Sequence, residues 1–175
     1  MNFSMKKNGL LMLFIASFTF GIDDKPNVIP DLKIRMLDGS KTTIHELVKD
    51  GPLMIDFWAT WCVPCKKVMK FLNEYHQEFE KEKFKVLMIN TDSPRSVSKV
   101  KSYVRSQDYK FFIGMDPNKS ISKKLNGLVM PTLILVDKGG EVVWRHQGYL
   151  PGEEVEIKNQ IQILVNKLKE KKDEG

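Results

Sequence analysis

Hydrophobic and polar positions along the chain switch repeatedly between a period of two and a period near three and a half. Leu32-Lys33-Ile34-Arg35-Met36-Leu37 alternates as a half-buried strand does, and Asp38-Gly39 marks a turn. Thr43 stands where an N-cap would open a short helix, Ile44 to Lys49, which Asp50-Gly51-Pro52 ends. Leu53-Met54-Ile55-Asp56-Phe57-Trp58 is apolar on both faces apart from Asp56, the mark of an interior strand. From Cys62 onward Val68, Met69, Leu72, Tyr75, His76 and Phe79 recur at helical spacing, predicting a helix that ends near Lys83. Phe84–Asn90 reads as a strand, Arg95–Gln107 as a helix and Lys110–Met115 as another strand. Asp116 is placed to cap a helix starting at Pro117 and ending before Gly127. Thr132–Val136, the turn Asp137-Lys138-Gly139-Gly140 and Glu141–His146 form a hairpin. An amphipathic helix from Gly152 to Leu168 closes the chain, and the charged residues 169–175 are expected to fray.

Strands alternating with helices predict an α/β fold, a central mixed sheet covered by helices on both faces. The 175 residues suit one domain, placed at 31–168, with no internal repeat. Residues 22–30 are polar and broken by proline, and read as a linker. Residues 1–21 differ in kind: Lys6 and Lys7 precede an apolar core from Leu10 to Phe20, as in an export signal. That core is shorter than the ~20 apolar residues a membrane-spanning helix needs. The expected location is the periplasm or another extracytoplasmic space, with the segment either cleaved or kept as an anchor. The formal charge of +6 is modest, and basic residues interleave with acidic ones, as in Glu80-Lys81-Glu82-Lys83. Such a pattern is a solvated surface, and no nucleic-acid partner is expected.

The two cysteines, Cys62 and Cys65, sit three apart at the predicted strand-to-helix break. A sulfur at a helix N-terminus faces unpaired N–H groups and the positive end of the dipole, which favour a thiolate. A second sulfur one turn along can attack a mixed disulfide formed at the first. Pro64 suits a first helical turn, where its missing N–H costs little. Two plainer readings compete: a structural staple, which across so short a loop would constrain the unfolded chain little, and a metal site, for which neither a second cysteine pair nor paired histidines stand at zinc-site spacing. Asp56 is a candidate of another type. A carboxylate within an apolar strand is expected to hold its proton more firmly than usual and to serve as general base for a neighbouring thiol, unless it only hydrogen-bonds nearby backbone.

The segment Asp56-Phe57-Trp58-Ala59-Thr60-Trp61-Cys62-Val63-Pro64-Cys65 resembles the active-site segment of the thioredoxin superfamily, and Ala-Thr-Trp-Cys is most like the TlpA-like extracytoplasmic thiol–disulfide oxidoreductases. The resemblance can be followed from about Val28 to Leu168. It implies a thioredoxin-like fold in which Arg95–Met115 is the extra helix–strand insertion. It implies Cys62 as exposed nucleophile, Cys65 as covered resolving thiol and Asp56 as the buried acid. Met130-Pro131 matches the family's cis-proline, and with Trp61, Val63 and Pro64 would meet the substrate. Trp58 is assigned to the core and His76 to the core or its rim. No cofactor or metal is implied.

Most relatives carry a proline five residues after the second cysteine, whereas this chain has Lys70. Val63 and Pro64 supply no cation to hold the Cys62 thiolate, unlike strong oxidants of this fold, whose thiolate pKa lies near ~3.5 against ~7 for thioredoxin. The expected activity is protein-disulfide reduction by a monomer, recharged by a membrane electron donor. Its substrates would be exported proteins bearing disulfides, with the thiol pair of apo-cytochrome c as one case. The rivals are a peroxiredoxin-like thiol peroxidase and a copper chaperone of the same fold. Against the first, Ala59 occupies the position where peroxidases carry Thr or Ser. Against the second, the cysteines are closely spaced.

Overall fold

In chain order the elements are β1 (Lys33–Met36), β2 (Lys41–Thr43), α1 (Ile44–Val48), β3 (Leu53–Trp58), α2 (Val63–Glu78), β4 (Lys85–Asn90), α3 (Val97–Gln107), β5 (Phe112–Met115), α4 (Ser120–Lys124), β6 (Thr132–Val136), β7 (Val142–Gln147) and α5 (Glu153–Asp173). The structure, a computed structural model, describes residues 27–173. The expected export segment, 1–21, lies outside the described residues.

The strands make one sheet in the order β2-β1-β5-β4-β3-β6-β7. β3 pairs in parallel with β4, and β4 with β5, while β6 runs antiparallel to β3. The inserted α3–β5 unit therefore wedges its strand between β1 and β4. Alternate residues of β3 point to opposite faces. Met54 and Trp58 join Val86, Met88, Leu133 and Leu135 under α2, α3 and α5, where Val68, Met69, Leu72, Val100, Ile157 and Ile161 cover them. Leu53, Ile55 and Phe57 join Leu87, Ile89, Ile134 and Val136 under α1 and α4. Each such side chain contributes about 1.5–3 kcal/mol on burial. These two layers fix β3 as the spine from which the cysteine turn springs.

The predicted elements are met, with shifts at their ends that have local causes. Thr43 caps α1 through a capping box with Glu46. α2 stops at Glu78 and a 3-10 turn, Glu80–Glu82, follows. The helix expected from Arg95 opens as a 3-10 turn, Pro94–Ser96, before α3 begins. Asp116 is not the N-cap of the next helix, a place Lys119 takes, but its carboxylate accepts from the N–H groups of Ile121 and Ser122 at 3.1 and 2.8 Å. That helix starts only at Ser120, because Lys119 adopts φ +56°. α5 continues to Asp173 rather than fraying after Leu168, and Lys169 pairs with Glu82 at 2.7 Å. The end of the segment read as linker is docked: Ile29 is buried and donates its N–H to Gly140 at 2.8 Å. At Gly127 space requires glycine. A Cβ on Gly127 would stand 2.2 Å from the Phe57 ring, so only glycine lets the loop before β6 rest on β3.

Candidate active site

The chain leaves β3 at Trp58 and turns at once, with the Cys62 N–H donating to Ala59 O at 3.0 Å. Cys62 is the N-cap of α2, and its Sγ accepts from the Cys65 N–H at 3.3 Å. One of the helix's orphan donors thus points at the sulfur, and the dipole adds its positive end. Pro64 occupies the first turn, where no N–H is needed. Cys62 and Cys65 form a disulfide with their Cα atoms 5.3 Å apart. The expected contrast in exposure between them is not found: Cys62 is 4% exposed and Cys65 fully buried. What reaches solvent is the apolar frame, with Trp61 66% and Val63 65% exposed.

A second loop carries Met130-Pro131, whose peptide bond is cis. Pro131 O accepts from the Gly148 N–H at 2.8 Å, which ties the loop to the end of β7. Thr132 Oγ1 donates to Val129 O within the same loop. Thr91, just past β4, donates its hydroxyl toward Met130 Sδ at 3.2 Å, while its N–H donates to Trp58 O at 2.9 Å. Met130 is thereby fastened to the strand ends from which the cysteine turn emerges. Leu128 and Val129 beside it are exposed.

Asp56 is wholly buried in the middle of β3, and neither carboxylate oxygen has a hydrogen-bond partner among the described residues. Burial raises its pKa well above the ordinary carboxylate value of 3.8. The backbone of Phe57 and Thr132 pulls the other way, though neither closes a hydrogen bond to it. By strand alternation it shares its face with Met54 and Trp58, the face covered by α2 and Cys65. Trp58 is core, tilted against Tyr103 at 5.6 Å between centroids. Lys66, the first cation after Cys65, lies over that Tyr103 ring at 4.9 Å. His76 is half-buried, its pKa lowered by burial, and α2 runs unbroken through the exposed Lys70. Among the described residues no group of three or more His, Cys, Asp or Glu side chains is placed to hold a metal.

Sequence reasoning passed over the polar cluster at the end of β4. Asp92 accepts the Thr60 N–H at Oδ2, 2.7 Å, and the Thr60 hydroxyl at Oδ1, 3.2 Å. Asn90 Nδ2 donates to the same Oδ2 at 2.9 Å, and the Asp92 N–H returns to Asn90 Oδ1 at 3.1 Å. All three residues are buried. The available signal was Asn-Thr-Asp directly after an apolar parallel strand, at the sheet end where α/β sites are built.

The Redoxin family model matches residues 24–161. Thiol-disulfide oxidoreductase ResA of Bacillus cereus is 29% identical over 168 residues, covering 87% of this chain and 95% of that protein. Thioredoxin-like protein YneN of Bacillus subtilis is 29% identical over 130 residues, covering 74% and 75%. Among solved structures, a Chlorobium tepidum protein provisionally described as thiol:disulfide interchange protein DsbE superposes with TM-score 0.74 at 23% identity, covering 81% and 98%. StoA of Bacillus subtilis superposes with TM-score 0.61 at 21% identity, covering 77% and 99%. With the disulfide at the head of α2, these place the chain in the Redoxin family as a thioredoxin-like thiol–disulfide oxidoreductase of the TlpA-like branch.

Proposed function

We propose that the protein reduces disulfides of exported proteins in an extracytoplasmic compartment, acting as a monomer that a membrane dithiol donor recharges. The carrying observation is a disulfide seated on the N-terminus of α2 inside a rim of exposed Trp61 and Val63. In the reduced enzyme the Cys62 thiolate attacks one sulfur of the substrate disulfide. A Cys62–substrate bond forms as the substrate S–S bond breaks, and one substrate thiolate leaves. Cys65 then gives its proton to the Asp56 carboxylate and attacks Cys62 Sγ. That restores the Cys62–Cys65 disulfide and expels the second substrate thiolate, so two electrons have passed to substrate. Trp61, Val63, Pro64, Met130 and Pro131 receive the substrate chain. Proline 131 has no N–H of its own, which leaves the Met130 backbone free to pair with it. The thiol pair of apo-cytochrome c is one substrate this chemistry suits.

Insulin reduction with a dithiol donor tests the proposal. Wild type should turn over, and Cys62→Ser should fall to background; activity surviving that change refutes the assigned nucleophile. Equilibration with glutathione tests direction: a potential near about −270 mV supports a reductase, one near about −120 mV an oxidase. Peroxide consumption in place of insulin reduction would move the protein to the thiol peroxidases.

A further inference from the structure

We infer that Asp92 is a positioning residue for the cysteine turn, a clamp that sets where Cys62 Sγ sits on the head of α2. The inference rests on the dithiol reading above. Thr60 is two residues before Cys62, and Asp92 holds it at two points: its N–H at 2.7 Å and its hydroxyl at 3.2 Å. Two bonds to one residue fix orientation as well as distance. The clamp is itself anchored. Asn90, the last residue of β4, exchanges a pair of hydrogen bonds with Asp92 and stands in register with Trp58, the last residue of β3. A continuous path therefore runs from the paired ends of two buried strands through Asp92 to Thr60. From the far side, the Cys62 N–H on Ala59 O closes the same turn.

Placement matters here for an electrostatic reason. The helix terminus favours a thiolate only within about its first turn, so the advantage depends on how the sulfur is seated against the Cys65 N–H. Trp61 and Val63, on either side of Cys62, are both exposed and add no packing that would hold it. Without Asp92 the buried Thr60 N–H would also lack its partner, and the turn would move to find another. Asp92 is hydrogen-bonded to Thr60 and Asn90 and to neither cysteine, so it acts through Thr60.

The test compares Asp92→Ala with Asp92→Asn in the otherwise intact protein, after circular dichroism shows both folded. Asparagine keeps a carbonyl oxygen where the Thr60 N–H needs one; alanine does not. Alkylation of reduced Cys62 by iodoacetamide at pH 7, followed by mass spectrometry, should slow about fivefold in D92A, the equivalent of about one hydrogen bond. The glutathione equilibrium should shift in the same variant, and D92N should recover most of both. A folded D92A that alkylates and equilibrates as wild type does overturns the clamp. So does a D92N as impaired as D92A, because charge rather than position would then be at work. Hydrogen exchange at the Thr60 amide of the unmodified protein tests it without any variant: slow exchange is expected, and exchange as fast as a free turn overturns it. Failure of wild type to reduce insulin would defeat the dithiol reading alone, since exchange at Thr60 and alkylation of Cys62 report the clamp independently.

Discussion

Asp56 and Asp92 are buried carboxylates from neighbouring parallel strands, and their surroundings treat them in opposite ways. Asp56 sits within β3, in register with Met88 on one side and Leu133 on the other. Both flanking ladders use the backbone donors around it, and its oxygens are left without partners. Asp92 lies two residues past the end of β4, where the regular ladder has stopped. It accepts three hydrogen bonds. Asp116, one residue past β5, does the same with the amides of Ile121 and Ser122 and with two serine hydroxyls. Burial alone therefore does not decide what a carboxylate can do. What decides is whether donors, from backbone or from side chains, are left to meet it. The unpartnered acid is left able to exchange a proton; the satisfied ones build scaffold.

If that contrast is right, removing the two acids must have opposite effects on stability. Asp92→Leu strands the Thr60 N–H, the Thr60 hydroxyl and the Asn90 amide in a dry site. Since each unpaired buried group costs ~1–3 kcal/mol, denaturant unfolding should show a loss of about 4 kcal/mol. A loss below that of an ordinary surface substitution would break the comparison. Asp56→Asn should act the other way, and with a pH dependence of definite sign. The folded carboxyl keeps its proton well above 3.8, whereas the unfolded one ionises near that value. Above the unfolded value the folded state binds the extra proton, so wild-type stability falls as pH rises until the folded group also ionises. D56N lacks this slope. It should match wild type near pH 4 and gain on it as pH rises to 8, read from parallel urea melts. In the same variant the second chemical step should slow about tenfold or more if Asp56 is the base proposed for Cys65. Equal stability differences at both pH values would mean that Asp56 is ionised in the fold.

The difference between the two acids also marks where sequence could be read. Asp56 announced itself, since a lone charge in Leu-Met-Ile-Asp-Phe-Trp breaks a pattern that is otherwise continuous. The strand, the cysteine pair at its end and the cap at Thr43 were legible for the same reason: each is a local departure governed by near neighbours. Asp92 was not, because Thr-Asp-Ser-Pro is what any turn looks like. Its partner Thr60 is thirty-two residues away, brought close only by the β3–β4 register. Long-range placement likewise hid the near-complete burial of Cys62 and the demand of the Phe57 ring for glycine at 127. Element ends slipped where backbone left the ordinary regions, as at Lys119.

The smallest effect separates the two points of the Asp92 clamp. Thr60→Val removes the hydroxyl, keeps the shape and leaves the N–H on Asp92 Oδ2. The 3.2 Å bond lost is the longer of the two Thr60 contacts, and Asp92 Oδ1 is left with no donor. Stability should fall by about 1 kcal/mol. Alkylation of Cys62 should change less than twofold, because the shorter bond still orients the peptide ahead of the cysteine. Two measurements on one variant thus divide the work of the clamp. A large change in reactivity with little change in stability would place the positioning in the hydroxyl. The reverse, as expected here, places it in the backbone, where no side-chain substitution at 60 other than proline can remove it.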